Sequence, residues 1–199
     1  MKKVGIFSGT FDPIHDGHIS FALEAAQKAG LDKVFFLPEP RPRRKQGVKA
    51  LEHRVRMVQL AVEKYAQLGV IVLEQTRFTS HETLPLLQAR FKGAQLYMLM
   101  GEDMLNHLVD WPHVDELINN VHFVIGLRHR DVDDIKALVK NLETTRGLKF
   151  VYDIFQTKWS SVSSSNVRQT LRRGGMPRSM NNEVINYVQA NELYSISGE

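Results

Sequence analysis

The sequence predicts an α/β protein built on a doubly wound parallel sheet with helices on both faces, and three observations predict it. Short apolar runs of strand length, the first being Val4-Gly5-Ile6-Phe7, alternate along the chain with segments of helical spacing. The first run passes directly into a turn containing glycine and proline and then into a helical segment, the strand-turn-helix order of a parallel unit. Glycine-containing turns follow both the first and the fourth run, at Ser8 to His18 and at Gly101-Glu102-Asp103, and sheets of this class bind ligands beyond the carboxyl ends of their strands.

Ile19, Leu23, Ala26 and Ala29 space out a first helix, which Gly30 is placed to close. Val34-Phe35-Phe36-Leu37 reads as the second strand, and Pro38 to Gly47, PEPRPRRKQG, as a basic loop rich in proline. Leu51, Val55, Val58, Val62 and Tyr65 recur at steps of four and three, which predicts an amphipathic helix whose polar face carries Arg54, Arg56 and Lys64 and which ends at Gly69. Val70 to Leu73 is the expected third strand. Thr79 and Glu82 are spaced as a capping box, and Pro85 requires that the following helix start late or kink.

Leu96 to Met100 is the fourth strand, followed by a short helix, Trp111-Pro112, a second short helix and a strand at Phe123-Val124-Ile125. Ile135 to Leu142 reads as helix, Phe150 to Ile154 as strand, and Ser165 to Arg173 and Asn181 to Ala190 as C-terminal helices. A single domain over residues 1–199 is expected, with the helices from about residue 165 onward packed on it. In a 3-2-1-4-5 strand order the two glycine-containing turns become neighbours and share one crevice.

The chain has no cysteine, which excludes disulfides, thiolate zinc sites and thiol catalysis. Met1-Lys2-Lys3 imitates a signal-peptide start, but the apolar run behind it stops at Ser8, and no stretch reaches transmembrane length, so a cytoplasmic location without a membrane partner is the expectation. The net charge is +4, with clusters at Arg41 to Lys45 and at Arg168, Arg172, Arg173 and Arg178. No zinc finger, RNA-recognition sequence or helix-turn-helix pattern accompanies them, so a small, highly anionic ligand is expected rather than nucleic acid. The sequence leaves the oligomeric state open.

The most informative stretch is SGTFDPIHDGH, Ser8 to His18. Gly9 and Gly17 allow close backbone approach or positive φ. His15 and His18 lie three residues apart at the expected helix start, where both imidazoles share a face and free N–H groups favour a phosphate. Alternatives from the residues alone are a turn with satisfied histidines or a metal-binding histidine pair. A second stretch, SVSSSNVR from Ser161 to Arg168, puts serines at a helix N-terminus, where hydroxyls cap free N–H groups or bind phosphate.

GTFDPIHDGH resembles the HxGH signature of the nucleotidyltransferase superfamily, and in its longer form is similar to the nicotinate-nucleotide adenylyltransferases. Ser163, Ser164, Ser165 and Arg168 fall on the ISSTxIR signature of the same superfamily, with Ser165 in place of threonine. The resemblance runs from about Lys3 to Tyr194 and implies a Rossmann-like nucleotidyltransferase fold. It also implies transfer of the adenylyl group of ATP to nicotinate mononucleotide, with release of pyrophosphate and with Mg²⁺ as cofactor. His15, His18 and Arg168 would then be catalytic, and Gly9, Thr10, Phe11, Gly101, Asp103 and Ser163 to Ser165 would contact ATP.

On the acceptor side the resemblance implies Lys45, Arg43, Ser80, Trp111 and Arg128. The match departs from the family there: RPRRK stands in place of a PPHK-like loop, Phe78-Thr79-Ser80 in place of an SYT-like turn, and His129-Arg130 in place of the usual proline and glycine. No side chain is assigned to the metal; Asp12 and Asp16 are candidates by proximity, and Asp12 also suits a role in ordering the turn. The alternatives are the same transfer to nicotinamide mononucleotide or phosphopantetheine, a non-catalytic nucleotide-binding relative, and a basic RNA-binding protein.

Overall fold

The computed structural model describes residues 1–42, 45–74, 78–108, 110–158 and 161–195. Its strands are β1 (Lys3–Gly9), β2 (Lys33–Pro38), β3 (Leu68–Val70), β4 (Gln95–Gly101), β5 (His122–Leu127) and β6 (Tyr152–Gln156). Its helices are α1 (Asp16–Ala29), α2 (Leu51–Val62), α3 (Ser80–Arg90), α4 (Glu102–Leu108), α5 (Val114–Asn120), α6 (Val132–Arg146), α7 (Ser164–Arg172) and α8 (Asn182–Ala190).

All strand pairs are parallel, in the order β3-β2-β1-β4-β5-β6. Because strand side chains alternate, each central strand feeds two cores. Tyr97, Leu99 and Val124 face the core formed with α1, α2, α7 and α8; Met98, Met100, Phe123 and Ile125 face the one formed with α3, α4, α5 and α6. The order reverses direction between β1 and β4, so the crevice lies above Gly9 and Gly101, where the two glycine-containing turns meet.

Three expectations need correction, and one pair of alternatives narrows. The α2 helix stops at Val62 rather than Gly69, because Gly69 pairs with Phe35 in β3. The third strand accordingly runs from Leu68 to Val70, two residues earlier than expected. Of the two outcomes open at Pro85, a late start does not occur: α3 starts at Ser80 with Pro85 inside it, and Thr79 accepts from the Glu82 N–H at 3.2 Å. The reciprocal arm of that capping box is replaced by a bond from the Thr79 N–H to Thr83 Oγ1 at 2.9 Å. Finally, Arg54 is not on a polar face; it is 1% exposed.

Candidate active site

The site begins where β1 turns into α1. Phe11 has φ 50°, a left-handed conformation that a bulky residue adopts at a cost of order 1–3 kcal/mol. Its buried ring lies over Gly9, where an added Cβ would come within 2.8 Å of it. The same ring meets His18 edge-on at 5.2 Å between centroids. Gly17 is likewise a close approach, since a Cβ there would sit 3.0 Å from His15 Nδ1. Space rather than positive φ thus favours glycine at both positions, most strongly at Gly9.

His15 is the N-cap of α1 and His18 its third residue; their rings stack at 3.7 Å between centroids. The His15 backbone N–H donates to His18 Nδ1 at 3.2 Å. Nδ1 must therefore be unprotonated, and the neutral ring carries its proton on Nε2. Burial, followed by the neighbouring Arg128 guanidinium, lowers the His15 pKa to about 4. Burial lowers His18 well below its ordinary value too, helped by His15, Arg128 and Lys45. At neutral pH the pair is two uncharged imidazoles, and the buried His15 Nδ1 has no hydrogen-bond partner among the described residues.

A cavity of about 540 Å³ opens on one side of this pair, lined by His15, His18, Lys45, Arg128, Arg168 and the Ser163 to Ser165 turn among others. Ser163 caps α7 by accepting from the Asn166 N–H at 3.2 Å, and Ser164 donates to the Pro13 carbonyl at 2.9 Å. Arg168 donates to the Asp12 carbonyl at 2.7 Å and to Ser165 Oγ at 3.2 Å. The N-termini of α1 and α7 are thus strapped together, so their dipoles and the basic side chains act on one anion site. Asp12 completes the strap: its Oδ1 accepts from the Tyr194 hydroxyl at 2.6 Å and from the Lys49 N–H at 3.3 Å.

A second cavity of about 600 Å³ lies over the ends of β1, β4 and β5, lined by Gly9, Thr10, Phe11, Gly101, Asp103, Phe78, Trp111 and Thr157. Phe78 and Trp111 form an aromatic wall, with ring centroids 5.9 Å apart. The two cavities share Thr10, His18, Lys45, Arg128 and Ser164, so His18 and Arg128 stand at their junction. The predicted residues divide accordingly, with two exceptions. Ser80 is buried at the start of α3 and lines neither cavity. Arg43 lies outside the described residues.

Two residues that hold the site together were missed by the sequence reading. Arg54 donates to the carbonyls of Lys49, Thr10 and Pro40 at 2.8, 2.8 and 3.1 Å, joining the β1 turn to the loop after β2. The signal for it was present: Leu51, Arg54, Val55 and Val58 stand at i, i+3, i+4 and i+7, on one stripe. Glu102 is 3% exposed and accepts from the backbone N–H groups of Arg128, His129 and Arg130 at 3.0, 3.1 and 3.2 Å. Burial alone would raise its pKa, but those three bonds hold the carboxyl below the usual range. It thereby anchors the turn that presents Arg128.

A family model described as cytidylyltransferase-like matches residues 6–170. The chain is 34% identical over 201 residues to a probable nicotinate-nucleotide adenylyltransferase of Bacillus licheniformis, covering 98% of this chain and 99% of that protein. It is 38% identical over 129 residues to the nicotinate-nucleotide adenylyltransferase of Bacillus subtilis, covering 62% of this chain and 68% of that one. Among solved structures it is similar to the Plasmodium falciparum nicotinic acid mononucleotide adenylyltransferase complexed with NaAD. The TM-score is 0.80 over 98% of both chains, at 18% identity, a likeness of fold.

Proposed function

The chain belongs to the cytidylyltransferase-like family and, within it, to the nicotinate-nucleotide adenylyltransferases, and from that premise we propose that it transfers the adenylyl group of ATP to nicotinate mononucleotide. The observation that carries the reading is the stacked His15–His18 pair, with His18 at the junction of a basic cavity and an aromatic-walled one. One cavity suits the polyphosphate, the other the two nucleoside ends. A substrate spanning both brings its phosphorus to His18.

In the reaction an oxygen of the acceptor's phosphate attacks the α-phosphorus of ATP. That P–O bond forms as the bond from the α-phosphorus to the α,β-bridging oxygen breaks, and pyrophosphate leaves with the electron pair. Positioning and charge stabilisation supply most of the catalysis in such transfers. We assign His18 Nε2–H as a donor to the α-phosphate oxygens, with His15 supporting it through the stack. Arg168, Lys45 and the Ser163 to Ser165 turn hold the β- and γ-phosphates. Arg128, fixed by Glu102, faces the acceptor's phosphate, and Trp111 with Phe78 flanks its ring. Gly101 and Asp103 lie on the nucleoside side.

Mg²⁺ fits this site as an ion held chiefly by the nucleotide's phosphate oxygens and water. The buried Asp12 carboxylate already accepts two bonds through Oδ1, and no cluster of three metal-ligating side chains lies at the basic cavity among the described residues. When bound, the ion offsets phosphate charge. Small-molecule substrates and a cytoplasmic enzyme drawing on ATP are part of this reading, without nucleic acid as partner. No helix among the described residues is long and apolar enough to cross a membrane.

The test is to supply the purified chain with ATP, Mg²⁺ and nicotinate mononucleotide. Nicotinate adenine dinucleotide and pyrophosphate should form in equal amounts. ATP binding without either product would contradict the proposal and favour a non-catalytic relative.

A further inference from the structure

Away from the nucleotide site, the first turns of α3 and α5 bring together three exposed side chains: His81, His113 and Glu116. One ligand atom from each lies within 4.8 Å of the others. His81 Nδ1 and His113 Nδ1 both stand 3.6 Å from the same atom, Glu116 Oε1. At that separation neither contact is a hydrogen bond, and each is an ion pair only when its imidazole is protonated. The separation is close to the spacing of roughly 3.4 Å between neighbouring ligand atoms around a tetrahedral zinc ion with bonds near 2.05 Å.

The backbone points the same way. His113 is the N-cap of α5, yet it has φ 57° and ψ 30° and makes no side-chain capping bond. A non-glycine residue pays for that left-handed conformation, and capping does not repay it here. What the conformation accompanies is a ring lying beside His81, with centroids 5.0 Å apart and planes inclined by 29°. Two imidazoles and a carboxylate, with room for water in the fourth position, form a ligand set that suits zinc and disfavours magnesium.

We propose that His81, His113 and Glu116 bind one zinc-class divalent ion that staples the first turn of α3 to the first turn of α5. The site is separate from the nucleotide cavities and does not depend on the reaction assigned above. It does bear on their wall. Phe78 lies two residues before α3 and Trp111 two residues before His113, so an ion there fixes the spacing of the two aromatic side chains from behind. At the other end of the pair, Gln88 donates to Asn120 at 3.2 Å and already joins the helices.

The experiment uses the full chain, free of any affinity tag and stripped with a chelator, titrated calorimetrically with Zn²⁺ and separately with Mg²⁺ near pH 7.5. Saturable binding of one Zn²⁺ per chain, a raised unfolding midpoint with Zn²⁺, and no comparable effect of Mg²⁺ are expected. His81→Ala and His113→Ala should each weaken Zn²⁺ binding by tenfold or more, since even the loss of a partner behind a ligand costs about that much. Glu116→Gln should weaken it as well. All three positions are exposed, so the metal-free variants should unfold where the parent does. Absence of saturable Zn²⁺ binding overturns the proposal, and so does binding that survives unchanged in the variants that fold like the parent.

Discussion

Replacing His18 with alanine removes a neutral Nε2–H donor from the junction of the two cavities while leaving the phosphate-binding turns in place. We expect kcat to fall by roughly 10²–10³-fold, the scale for losing one preorganised donor to a developing charge. Turnover equal to the parent's would remove His18 from the mechanism. The neighbouring His15 carries a pH signature. Its folded pKa lies near 4 against an ordinary 6.5. Between those values the unfolded chain binds a proton that the folded chain refuses, so stability falls as pH drops through the window and rises again on return to neutrality. The loss is roughly 3 kcal/mol once the lower value is passed. Denaturant midpoints at pH 7 and pH 4.5 should therefore diverge more for the parent than for His15→Gln; equal divergence would show that His15 is not held neutral.

At the scale of elements, two guanidinium groups act as straps. Arg54 links α2 to the turn after β1 and to the loop after β2 through three carbonyls. Arg54→Met fits the apolar stripe but leaves those acceptors unpaired, so a loss of about 3–5 kcal/mol is expected in chemical denaturation. A variant within about 1 kcal/mol of the parent would mean that water replaces the guanidinium freely. Arg168 links α7 to α1, and Arg168→Ala should raise the KM for ATP more than it changes the KM for the acceptor. An unaltered ATP dependence would contradict its place at the polyphosphate. These straps also show what sequence reading reaches. The existence and order of the elements follow from apolar periodicity, because that periodicity is burial. The end of α2 and the start of β3 do not, since Gly69 reads as a stop signal in sequence and is instead a strand residue paired with Phe35. Charge is the other misleading cue: Arg54 reads as polar-face yet is buried, because carbonyls of two remote turns as well as the nearby Lys49 satisfy it, and the remote partners are invisible from its neighbours in sequence.

For the molecule as a whole, the reversal of strand order between β1 and β4 explains why both glycine-containing turns open onto one crevice. The HxGH turn and the serine-rich turn were legible because each combines a steric requirement with a chemical one over a few consecutive residues. The acceptor side was less legible. The wall proposed for it draws on Phe78, Trp111 and Arg128, which come from three separate turns, and Ser80 is buried at a helix start instead of lining the cavity. The decisive measurement is kcat/KM for pyrophosphate release from ATP and Mg²⁺ with nicotinate mononucleotide, nicotinamide mononucleotide and phosphopantetheine offered separately. Nicotinate mononucleotide should give much the highest value. Preference for either of the other acceptors, or release with none of them, would contradict the proposed function.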